Sequence, residues 1–318
     1  MAYDLGTALN PTDLLDKLRA FLVAQGWTVD LFAVEAPGKR LHMHKGGFYL
    51  NAKSADNTAS SIWAGGGASQ TQQIGFNLST GFNSGNAWRD QAGVPMRGAN
   101  SIGGSIKLPA GAIVSYWMDY DDTTKSLILY VQKSAGVWRW MGFGESLIKA
   151  GSWTGGAWIA SSSSYEWAGY SEGPGHDNTL PCYPFGANKD SGLGPLVMVR
   201  ADVDSFTGKW VSCSNEEFTG RTGDTNVAGG RVVSGQVPTL SGLVERSRNS
   251  LNSTSVLLPV QVFTTRDDGG MSLLGTLPNV FMTNITGLVP GQAYQQGVDW
   301  FVPFPGDSAT HGTVIRRA

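Results

Sequence analysis

Charge is scarce in this chain. Lys, Arg, Asp and Glu make up 15% of its 318 residues, against about 25% in an ordinary soluble domain. The 23 basic residues nearly cancel the 25 acidic ones, leaving a net charge of −2. With no Lys/Arg block, phosphate finds no long-range attraction, and nothing favours nucleic acid as a partner. Cysteine is nearly absent too. Cys182 and Cys213 stand far apart, with no Cys-x-x-Cys pair and no adjacent histidine, and read as buried thiols. Long apolar runs are missing: no stretch approaches the roughly 18 consecutive apolar residues of a membrane helix. MAYDLGTALNPTDLL lacks the basic-then-apolar order of a signal peptide. The expectation is a soluble chain with no membrane partner, folding in a reducing cytoplasm.

Glycine is plentiful. Its 43 copies are about twice the usual ~7%, and the apolar residues come in short runs between turn signals. The predicted fold is mainly β, an antiparallel sandwich-like core with a short N-terminal helix and extended loops and arms. In NPTDLLDKLRAFLVAQGW, Asn10 is placed to cap a helix and Pro11 suits its first position. Leu14, Leu15, Leu18, Phe21 and Leu22 form one apolar stripe, and Gly26 marks a left-handed stop. WTVDLFAV then reads as a strand, and residues 1–35 pack on the core.

Residues 36–213 read as a central β domain. KRLHMHKGG alternates Leu41 and Met43 with Arg40, His42 and His44, which places the polar set on the outer face. AIVSYWMDY and SLILYVQK flank the turn DDTTK, and AGVWRWMGF follows, a three-strand meander that needs a second layer to bury its inner face. Beyond about Ala160 comes a long excursion carrying Tyr165, Trp167, Tyr170, Tyr183 and Phe185, read as an ordered loop. Residues 214–252 are small and polar, a candidate arm or linker that folds on assembly. Residues 253–318 read as a small terminal β module, opening with a hairpin that turns at Asp268-Gly269.

Signatures of catalysis are missing. No Gly-x-Ser-x-Gly elbow, Cys/His pairing or phosphate-binding loop occurs. His42 and His44, two apart on one predicted strand face, have the spacing to share a metal, though a pair of polar side chains on the outer face opposite Leu41 and Met43 is the favoured reading. His176 beside Asp177 reads as a turn. Asp119, Asp121 and Asp122, and likewise Asp267 and Asp268, read as turn formers, since neither stretch has the twelve-residue calcium loop with its closing glutamate. No cofactor or metal is expected.

Tryptophan stands out. Of eleven, six fall between residues 117 and 167: Trp117, Trp138, Trp140, Trp153, Trp158 and Trp167. Trp138 and Trp140 share one strand face, with Val137, Arg139 and Met141 on the other. Two readings stay open. Trp138, Trp140, Trp153, Trp158, Trp167 and Tyr170 either fill a core or subunit interface, or present ring faces on which a host-surface glycan stacks.

The order of the IVSYWMDYDDTTKSLILYVQ hairpin and GVWRWMGFGESLIKAGSWTGGAWIASSS resembles a group of tailed-bacteriophage virion proteins. There an aromatic-Arg-x-x-x-Phe-Gly strand leads into Leu-x-Lys-x-Gly-x-Trp-x-Gly-Gly. The matching positions are Trp138, Arg139, Phe143, Gly144, Leu147, Lys149, Gly151, Trp153, Gly155 and Gly156. Where such proteins often carry a His two residues after the Arg, this chain has Met141. LLGTLPNVFMTNITGLVPGQAYQQGVDWFVPFP is likewise similar to C-terminal segments of phage tail and neck proteins. The resemblance implies a non-enzymatic virion component of the tail, baseplate or collar and neck, made in the host bacterial cytoplasm. Its implied partners are copies of itself and other virion proteins, with a lectin-like, glycan-binding module as the alternative.

Overall fold

A computed structural model describes residues 2–56, 72–97, 100–108, 111–134, 137–161, 163–166, 196–203, 206–212, 227–228, 256–265, 271–305 and 311–317. The chain opens with β1 (Ala2–Ala8), α1 (Pro11–Ala24), β2 (Thr28–Glu35), β3 (Gly38–Lys45), β4 (Phe48–Ala55) and β5 (Gln72–Ser79). There follow β6 (Met96–Arg97), β7 (Asn100–Leu108), β8 (Ile113–Asp121), β9 (Ser126–Ser134), β10 (Val137–Gly144), β11 (Ile148–Lys149), β12 (Gly155–Ser161) and β13 (Ser163–Glu166). The last are β14 (Leu196–Val203), β15 (Phe206–Ser212), β16 (Val227–Ala228), β17 (Leu258–Thr265), β18 (Met271–Asn284), β19 (Tyr294–Gln296), β20 (Asp299–Pro305) and β21 (His311–Arg317).

The strands form three sheets. An eight-stranded central sheet runs β1-β8-β9-β10-β12-β14-β15-β16. An N-terminal sheet runs β13-β7-β5-β4-β3-β2, with β6 beside β7. A C-terminal sheet runs β11-β18-β21-β20-β19, with β17 also on β18. All pairings except β15–β16 are antiparallel. The fold is therefore mainly β and sandwich-like, with one short helix near its start.

The central sheet is covered on both faces. On one side Met118, Leu127, Leu129, Val131, Met141, Phe143 and Ile159 pack with Leu41, Leu50, Phe76 and Ile106 of the N-terminal sheet. The helix joins this core through Leu14, Leu15, Leu18, Phe21 and Leu22, the stripe expected from its spacing. On the other side Ile128, Tyr130, Trp138, Trp140, Trp158 and Val199 meet Val260, Leu277, Val280, Val302, Phe304 and Ile315 of the C-terminal sheet. Burial on both faces is why SLILYVQ carries an almost unbroken apolar run, where a sheet with one wet face alternates.

Local signals set the helix ends. The Asn10 side chain accepts the Asp13 backbone N–H at 2.8 Å, and Gly26 lies in the left-handed region with φ 82°. The hairpin turn after β8 is held by Asp121, whose carboxylate accepts the Thr123 N–H at 3.0 Å and the Thr124 hydroxyl at 3.1 Å. Asp122 pairs with Lys45. Asp121 is thus a turn former, whereas Asp119, read as one from sequence, lies inside β8 opposite Ile128 and Tyr3. One element is unexpected: Ala2–Ala8, to which the sequence assigns no element, is a strand at the end of the central sheet's described strands. The C-terminal hairpin pairs Thr265 with Met271, its turn lying outside the described residues.

A second expectation is corrected. The face of β3 carrying Arg40 and His42 is not solvated: Arg40 and His42 are buried. The segment after β5 folds back over that face, burying Trp88, Gln91 and Val94 with it. Alternation in sequence separates two faces; it does not say that one of them is wet.

Candidate functional site

The tryptophan-rich segment is a strap between two sheets. Along β10, Trp138, Trp140, Gly142 and Gly144 share one face. Trp158 of β12 is registered against Gly144, and its ring lies over the space the glycines leave. A Cβ at Gly144 would strike Ser126 Oγ and the Trp158 indole, and one at Gly142 would come within 2.6 Å of Ile128 Cδ1. The pattern Trp-x-Trp-x-Gly-x-Gly thus makes room for a third indole from the neighbouring strand.

After β10 the chain leaves the central sheet. Leu147 enters the second core, and β11 pairs with β18, Ile148 opposite Thr276 and Lys149 opposite Gly275. Trp153 donates its indole N–H to Leu274 O at 3.1 Å. The Lys149 ammonium lies 4.9 Å from the Trp153 ring. The chain then returns as β12. Trp153 is only partly buried, whereas Trp138, Trp140 and Trp158 are interior. Those three face the protein's own C-terminal sheet and offer no ring face to a glycan. Trp167 and Tyr170 lie outside the described residues, as do His176, Cys182, Cys213, Tyr183, Phe185, Asp267 and Asp268, the side chain of Tyr165, and all of the 214–252 arm except Val227–Ala228.

The structure adds partners that the spacing of tryptophans did not reveal. Phe304 stacks on Tyr130 with ring centroids 3.7 Å apart and planes 3° from parallel. It meets Trp117 and Trp138 edge-on at 5.6 and 5.7 Å. The Tyr130 and Thr313 hydroxyls share a 2.7 Å hydrogen bond, and Trp117 donates its indole N–H to Gly291 O at 3.1 Å. The signal available beforehand was the same-face spacing of Val302 and Phe304 in a strand rich in aromatics.

Both ring nitrogens of His42 are hydrogen-bonded. Arg40 Nε donates to His42 Nε2 at 2.6 Å, so that nitrogen carries no proton, and His42 Nδ1 donates to Asn51 Oδ1 at 2.5 Å. Asn51 passes the row on to Asn77 Oδ1 and Ser79 Oγ, both at 2.9 Å. The covering segment is tied to the same row. Asn86 O accepts from Arg40 at 2.5 Å, Arg89 O accepts from Asn77 at 3.1 Å, and Phe82 lies 4.6 Å from the imidazole. Burial, with Arg40 adding to it, drives the His42 pKa down to about 4 despite the Asn51 bond. His44 instead meets Asp30 at 2.9 Å. Arg40 holds His42 Nε2 and Asn51 holds its Nδ1, so neither nitrogen is open to a metal shared with His44. Among the described residues no group of three or more His, Cys, Asp or Glu is placed to hold a metal ion.

Asp119 is the other perturbed group. It lies on β8 opposite Tyr3 of β1 and is half-buried. Burial pushes its pKa up to about 7, with Arg317 pulling the other way. The tryptophan-rich strap joins the central sheet to the C-terminal one. Among the described residues no helix is long and apolar enough to cross a membrane. No protein-family model matches the chain, and no curated protein matches it.

Proposed function

We propose that this chain is a non-enzymatic structural component of a tailed-phage virion, in the tail, baseplate, collar or neck, assembling through contacts with its own copies and with other virion proteins. The observation that carries the reading is the meeting of the two segments that resemble phage virion proteins. The Trp-Arg-Trp strand with its Leu-x-Lys-x-Gly-x-Trp strap lies on one side of the second core, and the Leu-Pro-Asn-Val to Phe-Pro segment lies on the other. Trp153 bonds Leu274, and Trp117 sits on the Pro-Gly-Gln turn through Gly291. Two resemblances far apart in sequence are thus halves of one packed unit, as expected if both were kept for one scaffold. The glycan alternative is less favoured, since Trp138, Trp140 and Trp158 are interior.

Low charge also suits assembly, because interface cores are depleted in charged residues. The test is to purify particles from infected cells, quantify the chain by mass spectrometry and locate it by gold-labelled antibody. A fixed copy number at one position is expected; absence from washed particles would refute the reading.

A further inference from the structure

The segment that folds back over the Arg40 and His42 face of the N-terminal sheet is an Ω-loop, residues 80–92, and acts as a cover. Its ends meet where Ala92 O accepts the Thr80 backbone N–H at 2.8 Å. Inside it, the buried Gln91 carboxamide accepts the Asn83 N–H at 2.7 Å and donates to Asn83 O and Ala87 O at 3.1 and 3.0 Å. The cover is thus tied to itself and can move as one body. Three of its carbonyls are held by the buried row: Arg40 donates to Asn86 O, Asn77 to Arg89 O and Ser79 to Gly81 O. Just past its end, Trp210 anchors the chain by donating to Gly93 O at 2.8 Å. Every donor in the row points the same way, from Arg40 to His42, from His42 to Asn51, from Asn51 to Asn77 and Ser79, and from these two to the cover.

The row holds only while His42 Nε2 is a bare acceptor. A guanidinium accepts no hydrogen bond, so a proton on Nε2 would set two donors 2.6 Å apart. Turning the ring leaves the same conflict, since a doubly protonated imidazole has no acceptor at all. The surrounding charges do not compensate. Arg40, on the same strand, opposes a second cation, while Asp30 and Glu35 of β2 favour one. Both carboxylates are committed elsewhere: Asp30 meets His44 at 2.9 Å, and Glu35 meets Lys53 of β4 at 2.5 Å and Arg40 at 3.6 Å. β5 carries no charged side chain, and the cover's Arg89 and Asp90 pair with each other at 3.8 Å.

We propose that residues 80–92 are an acid-released cover: a proton taken up by His42 Nε2 expels Arg40 from the row, and the cover lifts from the N-terminal sheet as one body. Uptake happens in the lifted state, where the imidazole is solvated, and the charged ring then keeps Arg40 from docking again. Closed, His42 takes a proton only near pH 4, whereas a solvated imidazole does so below about 6.5. The closed state is therefore fully favoured above that value and loses ground as pH falls towards 4. The device needs no partner and stands apart from the virion reading.

Amide hydrogen exchange read by mass spectrometry and corrected for intrinsic rate tests this on the whole chain. Between pH 7.5 and pH 5 the open fraction of peptides from residues 80–92 should rise about twentyfold, while β9 peptides keep their protection. His42→Gln, which keeps an acceptor towards Arg40 but takes up no proton, should hold the cover closed at both pH values. A flat response in the natural sequence overturns the proposal. So does an equal rise in His42→Gln, or a rise shared by β9, which marks global unfolding. Nitrogen-15 spectra of the imidazole need no variant: at pH 7 Nε2 should be the unprotonated nitrogen, and a proton found there overturns the arrangement on which release depends.

Discussion

The two faces that β9, β10 and β12 present carry different side chains. Towards the N-terminal sheet and helix these strands are aliphatic apart from Phe143, with Leu127, Leu129, Val131, Met141 and Ile159, and the rings of Trp27, Phe48 and Phe76 reach Phe143 from other elements. Towards the C-terminal sheet the same strands are aromatic, with Tyr130, Trp138, Trp140 and Trp158 in one core with Phe304. A helix and a full sheet supply many apolar contacts, aliphatic and aromatic, to the first core. The second core depends on a few large rings, each burying on the order of 150–250 Å². Loss should therefore be concentrated in single residues on the aromatic side and spread over many on the aliphatic side.

The largest test of that contrast is Trp158→Ala. It should cost about 3–5 kcal/mol in denaturant unfolding and expose residues 256–317 to protease before the rest. Leu129→Ala on the opposite face should lower stability without releasing the C-terminal sheet first. If both variants open the same region, the faces are not separable units.

The next effect belongs to the far face of the N-terminal sheet, where the buried row lies under the segment after β5. The His42 pKa falls from 6.5 unfolded to about 4 folded, so the unfolded chain binds the extra proton between these values. Stability attributable to His42 is complete above pH 6.5 and is lost as pH falls towards 4. The loss is about 3 kcal/mol at roughly 1.4 kcal/mol per tenfold change in proton affinity. Asp119 acts oppositely: its raised pKa weakens the fold as pH rises from 3.8 towards 7. Comparing His42→Gln with Asp119→Asn in urea melts at stepped pH separates the two slopes. A His42→Gln protein with an unchanged acid limb would remove the buried row as its cause.

A smaller change sharpens the aromatic side. Gly144→Ala sets a methyl against Trp158 and should cost about 1–3 kcal/mol as overpacking. Pairing it with Trp158→Phe should recover part of that loss in a double-mutant cycle, since the two residues touch. Asn10→Ala, which removes the helix cap on the aliphatic side, should cost about 1 kcal/mol by thermal melt and leave the C-terminal sheet's protease resistance unaltered.

Much of the fold was legible in the chain. The helix from Pro11 to Ala24, with its cap, stripe and stop, and the β8–β9–β10 meander follow from short-range spacing and turn chemistry, which act within a few residues. The candidate site was legible only in part. Alternation placed Trp138 and Trp140 on one face, but whether that face met solvent, another subunit or the protein itself depended on residues more than a hundred positions away. His42 was misplaced for the same reason, because the segment covering it is joined to its strand only through tertiary contacts. The β1 strand was missed because AYDLGTA carries a weak apolar alternation, and its pairing with β8 supplies what local preference does not.

By itself the sequence determined the local elements, the two-face patterning of each strand and the small-residue gaps at Gly142 and Gly144, all set by dihedral preference, period and side-chain size. Only the tertiary structure decided that both faces of β9 and β10 are buried, that Trp117 and Trp138 turn onto Phe304, and that β1 joins the central sheet beside β8. Those outcomes depend on which surfaces meet, and burial is a property of pairs of surfaces, not of either strand alone.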